Sequence, residues 1–289
     1  MPELPEVDGL AASLDRHLAG QQIARIDLFA LAALKTFDPP LHAVEGRTID
    51  RVRRIGKFLV LEADDLLLVL HLARAGWIRW RTEMPTDPPR PGKGPLALRL
   101  AAVSADGEPA GGFDLTEAGT KKHAAAYVVR ELREVPGIAR LGPDALDPAL
   151  DAATFAGLLA AQGRAQIKGV LRDQSVIAGI GNAYSDEILH VARTSPYAAA
   201  DAVDSTAMYA AMRSILTAAR DAARGIDMAA LKSEKKATLQ IHGRAGQPCP
   251  ICGDTIREVS YADRSLQYCP TCQTGGKVLA DRRLSRLLK

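Results

Sequence analysis

Two cysteine pairs, Cys249-Pro-Ile-Cys252 and Cys269-Pro-Thr-Cys272, restrict this chain more than any other feature, because sixteen residues between them give C-x2-C-x16-C-x2-C. Each pair offers two thiolates from one tight turn, and two such turns complete a tetrahedral shell around zinc. Four protein sulfurs leave no open coordination position, so one structural Zn2+ is expected. The N-terminus carries Glu3, Glu6 and Asp8 and lacks a basic segment followed by an apolar one. A cytoplasmic chain in a reducing compartment is expected on that ground, with metal favoured over disulfides. Between the pairs, Ile256–Tyr268 has hairpin character and presents Arg264 near its tip.

The rest of the 289 residues is long enough for further domains. Short apolar runs at Ile23–Leu28, Phe58–Leu61, Leu66–Leu72, Leu96–Leu100 and Ala125–Val129 are separated by turn-rich Pro85–Pro95 and Ala105–Gly112. They predict an antiparallel β domain, a sandwich or a barrel. Val7, Leu10, Leu14 and Leu18 recur at helical spacing and predict an N-terminal helix against it. After Leu141-Gly-Pro-Asp-Ala-Leu-Asp-Pro, which reads as a linker, the chain becomes rich in Ala and Leu. Helices are expected at Ala152–Gln162, Ile167–Leu171, Asn182–Ala192 and Thr206–Arg224. The fold class is therefore α+β and multidomain: a β domain over 1–131, a linker over 132–148, a helical domain over 149–239, and a four-cysteine zinc finger over 240–289.

Charge is distributed unevenly. The net +3 is small, but from Lys232 to Lys289 eleven lysines and arginines face five acids, a net of +6, leaving −3 for residues 1–231. A C-terminal positive field suits a module that touches phosphates. The most apolar stretch, Leu66–Leu72, is too short to cross a bilayer, so no membrane partner is expected.

Three further features carry chemistry. Once Met1 is removed, Pro2 has a secondary amine able to attack a carbonyl-like carbon, with the Glu3 carboxyl one residue away as general acid or base. The turn Ala178-Gly-Ile-Gly-Asn182 leads directly into a helix N-terminus, where backbone N–H groups attract anions, although such a turn is more often only structural. Lys57, in Ile55-Gly-Lys-Phe-Leu59, follows the basic run Arg51, Arg53 and Arg54.

Together these stretches resemble the bacterial formamidopyrimidine-DNA glycosylase / endonuclease VIII family. The resemblance spans nearly the whole chain: Pro2-Glu-Leu-Pro-Glu-Val7, Gly56-Lys-Phe-Leu59, His71-Leu-x-x-x-Gly76, Ile167-Lys168, Gly179-Ile-Gly-Asn-Ala-Tyr-Ser-Asp-Glu187, His242-Gly-Arg and the cysteine pairs. It implies an N-terminal β-sandwich, a helix–two-turn–helix domain and a zinc-finger hairpin. It also implies a monomeric base-excision repair enzyme that acts on damaged, oxidised bases in duplex DNA. Carried over position by position, Pro2 is the nucleophile and Glu3 the proton shuttle, with Glu6 and Lys57 beside them. His71, Asn182 and Arg264 clamp phosphates around an everted nucleotide, and Lys168 faces the DNA. Such a clamp is needed because phosphate contacts hold the backbone while the target leaves the stack.

Departures from the family pattern bear on substrate choice. The Met, Arg and Phe that fill the hole left by the everted base become Arg74, Lys121 and His123. Cationic and heteroaromatic side chains can still stack on bases. The segment Gly225–Gln240 is shorter than the loop that covers 8-oxoguanine in formamidopyrimidine-type members. His242 stands where many relatives have Tyr, at a phosphate-facing position. A second reading follows from the altered wedge: a damaged-DNA or abasic-site binding protein on the same scaffold, without catalysis.

Overall fold

The structure is a computed structural model that describes residues 1–85, 94–119, 122–261 and 264–280. Contacts divide the chain into two compact units, residues 1–140 with 220–232, and residues 141–219 with 233–289. Among the described residues no helix is long and apolar enough to cross a membrane.

The first unit opens with α1 (Leu4–Leu18), whose Leu4, Val7, Leu10, Leu14 and Leu18 are fully buried at spacings of three and four. Eight strands follow: β1 (Gln22–Leu28), β2 (Ile49–Ile55), β3 (Phe58–Ala63), β4 (Leu66–His71), β5 (Gly76–Arg81), β6 (Leu96–Val103), β7 (Pro109–Glu117) and β8 (Ala125–Val129). They form two four-stranded sheets, ordered β1-β6-β7-β5 and β2-β3-β4-β8, with every pairing antiparallel. Of the two architectures left open by the sequence, the sandwich is the one formed. Leu59, Leu61, Leu68, Leu70, Leu98, Leu100, Phe113 and Leu115 share one fully buried core.

The period-2 pattern of β3 is obscured because both of its faces are apolar. Phe58 and Val60 point the other way, into a smaller cluster with Val69, Val129 and Val135. Val135 follows a 3-10 turn (Leu132–Glu134), so part of the 132–148 stretch covers the back of this sheet. Gly137 sits there against the Phe58 ring, where a Cβ would lie 2.6 Å from Cζ.

Three strands are not legible as apolar runs. In β2, Ile49 and Val52 fall three apart yet share one core because the register shifts between Ile49 and Arg51, while Ile55, three further on, packs on the opposite face. In β5 charged residues interrupt Trp77, Ile78 and Trp80. β7 begins inside the stretch read as turn-rich: the turn itself is Ser104–Glu108, and Pro109-Ala-Gly-Gly112 is already strand. Glycine is required there, since a Cβ on Gly112 would lie 2.1 Å from the Leu100 carbonyl oxygen.

The second unit holds α2 (Ala152–Ala160), α3 (Ile167–Arg172), α4 (Asn182–Val191) and most of α5 (Ser205–Arg224). These match the four expected helices to within two residues. Asp151 starts α2 by accepting from the Thr154 N–H at 2.7 Å, and Asp204 accepts from the Ala207 N–H at 2.9 Å at the start of α5. An unexpected helix, α6 (Leu231–Thr238), occupies the 225–240 segment. The zinc-finger segment contributes the hairpin β9 (Arg257–Ser260) and β10 (Ser265–Tyr268) and the short α7 (Pro270–Thr274). Composition changes at residues 131, 148 and 239, whereas contacts change at 140, 219 and 232.

Candidate functional site

In the first unit, the candidate residues gather where α1 begins. Glu3 caps the helix reciprocally with Glu6: the Glu3 carboxylate accepts from the Glu6 N–H, and the Glu6 carboxylate accepts from the Glu3 N–H at 2.8 Å. Pro2 is buried, Glu3 and Glu6 are almost fully so, and Met1 is half exposed. Glu6 thereby fixes the backbone that presents Pro2 and Glu3. One turn on, Asp8 pairs with Arg54 of β2 and with Arg224 at the end of α5. Arg54 also donates to the Gly56 carbonyl at 2.9 Å, and so braces the two-residue Gly56-Lys57 turn against α1. Gly56 takes φ +55° in that turn.

Lys57 is buried, and the next residue, Phe58, pairs in register with His71. The Phe58 and His71 rings lie 4.6 Å apart. Burial, and then the charge of Lys57, lower the His71 pKa to about 4. At neutral pH the site therefore offers one ammonium and one neutral imidazole. Arg74 is exposed in the turn after β4, next to Ala73 at φ +52°. His123 is also exposed; its loop is anchored where the buried Glu117 carboxylate accepts the N–H groups of His123 at 2.7 Å and Ala124 at 2.9 Å. Lys121 lies outside the described residues.

In the second unit, Lys168, Asn182 and Arg264 line one cavity of about 100 Å3, joined by Arg172, Tyr197 and Tyr261. Asn182 is the first residue of α4, whose N-cap is Gly181, so no side chain caps the helix and its N–H groups face this end. Gln174 shapes the glycine-rich turn: it accepts from the Gly179 N–H at 3.0 Å and donates to the carbonyls of Arg172 and Ile180, each at 2.8 Å. Asn182 Nδ2 donates to the Ser265 carbonyl at 2.7 Å, tying α4 to the zinc-finger hairpin. Its Oδ1 is buried with no hydrogen-bond partner among the described residues, the kind of orphan that a ligand or water completes. Arg264 is exposed, with its guanidinium over the Tyr261 ring at 5.5 Å, and the Tyr197 and Tyr261 hydroxyls are 2.8 Å apart.

Lys168 reaches this cavity in a different manner from an exposed cation. It is 6% exposed, and its ammonium donates to Asp186 at 2.6 Å, Ser185 at 2.8 Å and the Asn182 carbonyl at 3.2 Å. The other Asp186 oxygen lies 2.7 Å from His242 Nδ1, so one fully buried carboxylate holds two of the candidate residues. Beside it, Glu187 accepts the backbone N–H groups of Gln240 at 3.0 Å, Ile241 at 2.9 Å and His242 at 2.8 Å. Burial raises the Glu187 pKa against those three hydrogen bonds.

The sequence reading missed Arg172, Asp186 and Glu187 as site residues. Lys168 and Arg172 are four apart in a helix and so share a face, which was the available signal for Arg172. Asp186 and Glu187 carried no individual signal, because their partners are 18 or more residues away in the chain.

The four cysteine sulfurs lie within 4.8 Å of one another, with Cys249–Cys272 at 3.9 Å and Cys252–Cys269 at 3.4 Å. A tetrahedral zinc with bonds near 2.3 Å requires sulfurs about 3.8 Å apart, so the donors fit. Burial pushes the Cys272 thiol up to about 11 and the Cys269 thiol higher still, so these two need a cation beside them to exist as thiolates near neutrality. Cys249, Cys252, Cys269 and Cys272 form the site of one zinc ion.

Comparison with known proteins agrees with this arrangement segment by segment. Residues 1–115 match the formamidopyrimidine-DNA glycosylase N-terminal domain, 141–232 the formamidopyrimidine-DNA glycosylase H2TH domain, and 246–275 the zinc finger found in FPG and IleRS. The chain is 59% identical over 152 residues to an uncharacterized formamidopyrimidine-DNA glycosylase-like protein of Mycobacterium tuberculosis, covering 52% of this chain and 94% of that one. It is 34% identical over 275 residues to formamidopyrimidine-DNA glycosylase of Moorella thermoacetica, covering 90% and 94%. Among solved structures, the Lactococcus lactis protein in complex with an oxidized pyrimidine containing DNA superposes with a TM-score of 0.79 at 25% identity, covering 94% of this chain and 100% of that one. The same protein with a FAPY-dG containing DNA gives 0.78 at 25%, with the same coverage. With its β-sandwich, helical region and four-cysteine finger all in family order, this chain belongs to the formamidopyrimidine-DNA glycosylase family.

Proposed function

We propose that this protein is a bifunctional DNA glycosylase and abasic-site lyase that removes oxidised bases from duplex DNA through an N-terminal proline. The observation that carries the reading is the reciprocal Glu3–Glu6 cap, which fixes Pro2 and a buried carboxyl together at the start of α1. While Met1 is attached, the Pro2 nitrogen is an amide and has no usable lone pair. Met1 is half exposed, which leaves it open to removal. The freed amine attacks C1′, the glycosidic bond breaks toward the base, and Glu3 delivers a proton to the opening sugar. The resulting iminium withdraws electrons, so the 2′ proton becomes acidic and the 3′ phosphate leaves. Repetition at the 4′ position expels the 5′ phosphate.

Lys57 and His71, held side by side by the β3–β4 register, are assigned to one flanking phosphate, and Asn182, Arg264 and Arg172 to another. Lys168 and His242, both held by Asp186, set the shape and charge of the second cluster. Arg74, His123 and Lys121 take the place of the apolar wedge. The Lactococcus lactis complexes with oxidised-pyrimidine and FAPY-dG DNA support an oxidised-base substrate.

The reading is tested by product analysis on duplex DNA with one abasic site. Met-free wild-type protein should leave a one-nucleotide gap with phosphate at both ends. Pro2→Gly should lose cutting, and on a second duplex that carries an oxidised base Glu3→Gln should slow base release by about 100-fold or more, as for other positioned acids. Full cutting by Pro2→Gly would remove the proline from the mechanism. Tight abasic-site binding without any cutting would instead favour the non-catalytic binding protein, a reading that the exposed, cationic Arg74 also suits.

A further inference from the structure

His190 has no place in the function proposed above, yet its position in the second unit is tightly specified. It lies on the last turn of α4, is 2% exposed, and its Nε2 is 3.3 Å from Cys249 Sγ. Among the described residues it is the one side chain from outside the 246–275 segment that reaches a cysteine sulfur. A thiolate bound to a metal has lone pairs to share and no proton, so the imidazole must donate here.

The opposite end of the same helix is also tied to the finger. Asn182 donates to the Ser265 carbonyl of β10, eight residues and about 12 Å before His190 along a helix rising 1.5 Å per residue. Just past the helix, Gln273 of α7 donates to the Thr194 carbonyl at 3.0 Å while accepting from the Cys269 N–H at 2.9 Å. One rigid element thus runs from a cysteine ligand to the cavity that holds Asn182, Arg172 and Arg264.

We propose that His190 is a positioning residue for the zinc site, whose Nε2–H donates to the Cys249 thiolate and, through α4, couples zinc binding to the geometry of the anion cavity at Asn182. The donation lowers the electron density on Sγ and holds Cys249 in the orientation that binds zinc, and it is this fixed orientation that slows zinc release. Partners of this kind beyond the ligands are worth about 10–100-fold in metal affinity. The coupling half of the proposal rests on the phosphate-clamp reading of that cavity; the zinc half does not.

The test compares His190→Phe, which keeps the volume and deletes the donor, with His190→Gln, which keeps an N–H. Zinc transfer to a chromogenic chelator should be about 10–100-fold faster from His190→Phe and return toward wild type in His190→Gln. In the cobalt-substituted proteins, the thiolate-to-metal charge-transfer band should move to lower energy in His190→Phe and recover in His190→Gln. A purely structural role would cost stability and leave that band where it is. At limiting zinc, His190→Phe should lose abasic-duplex affinity in step with its metal, and excess zinc should restore it. If wild type itself fails to bind that duplex, the clamp reading fails while the chelator and cobalt results still decide the zinc half. Should His190→Phe not fold, the cadmium-113 form of wild type decides: a scalar coupling from the metal through sulfur to the His190 ring proton supports the proposal. Its absence, or a His190→Phe protein with wild-type release and spectrum, overturns it.

Discussion

For single side chains, the chemistry depends on charge states that burial sets. His71 is neutral near pH 7 because burial and Lys57 lower its pKa to about 4 from the ordinary 6.5. Below pH 6.5 the unfolded chain takes up a proton that the folded chain refuses, so stability should fall with pH through the window from 6.5 down to about 4. At about 1.4 kcal/mol per unit, the loss between pH 7 and pH 5 is about 2 kcal/mol. His71→Asn should flatten that slope in urea melts run at the two pH values; an unchanged slope would place the buried imidazole elsewhere. The four cysteines could be read from type and spacing, and Pro2 and Glu3 stood out by residue type and terminal position, whereas Lys57 and Asn182 entered as candidates through the family resemblance. Asp186, Glu187 and His190 could not be read in either way, because what they do is set entirely by partners distant in sequence.

Among the helices and strands, α4 is the organising piece of the second unit. Its first turn carries Asn182, Ser185 and Asp186, and Asp186 holds both Lys168 of α3 and His242 of the chain entering the zinc finger. Removing one partner of a buried ion pair leaves the other charge without compensation. Asp186→Ala should therefore destabilise the protein by about 3–5 kcal/mol in thermal or urea unfolding, more than an exposed pair such as Arg220–Asp221 would cost. A loss below about 1 kcal/mol, the level of a surface pair, would contradict the buried triad. The four helices of this unit were visible in sequence because an Ala- and Leu-rich stretch with few breakers has little alternative. Strands β2, β5 and β7 were hidden for separate reasons: a bulge, interspersed arginines, and two glycines that resemble a turn but serve close backbone approach.

Across the full chain, the proposed labour is divided between the units: the proposed nucleophile and acid, Pro2 and Glu3, lie in the first, and the proposed phosphate-binding cluster and the zinc site lie in the second. Phosphate contacts release counterions, so abasic-duplex affinity should fall steeply with salt, with a log–log slope of about −0.9 per neutralised phosphate. Arg264→Ala and Arg172→Ala should each weaken binding and reduce that slope by about one, measured by titration across salt concentrations. A slope unchanged in both variants would remove the cavity from the DNA interface.

All of the proposed chemistry turns on the Pro2 amine becoming covalently joined to the sugar. Borohydride added to Met-free protein and an abasic-site duplex should reduce the imine to a stable adduct. Intact mass should confirm loss of Met1, and peptide mapping should place the adduct on the N-terminal peptide at Pro2. Absence of an adduct from protein that binds the duplex, or an adduct at a lysine that persists in Pro2→Gly, would contradict it.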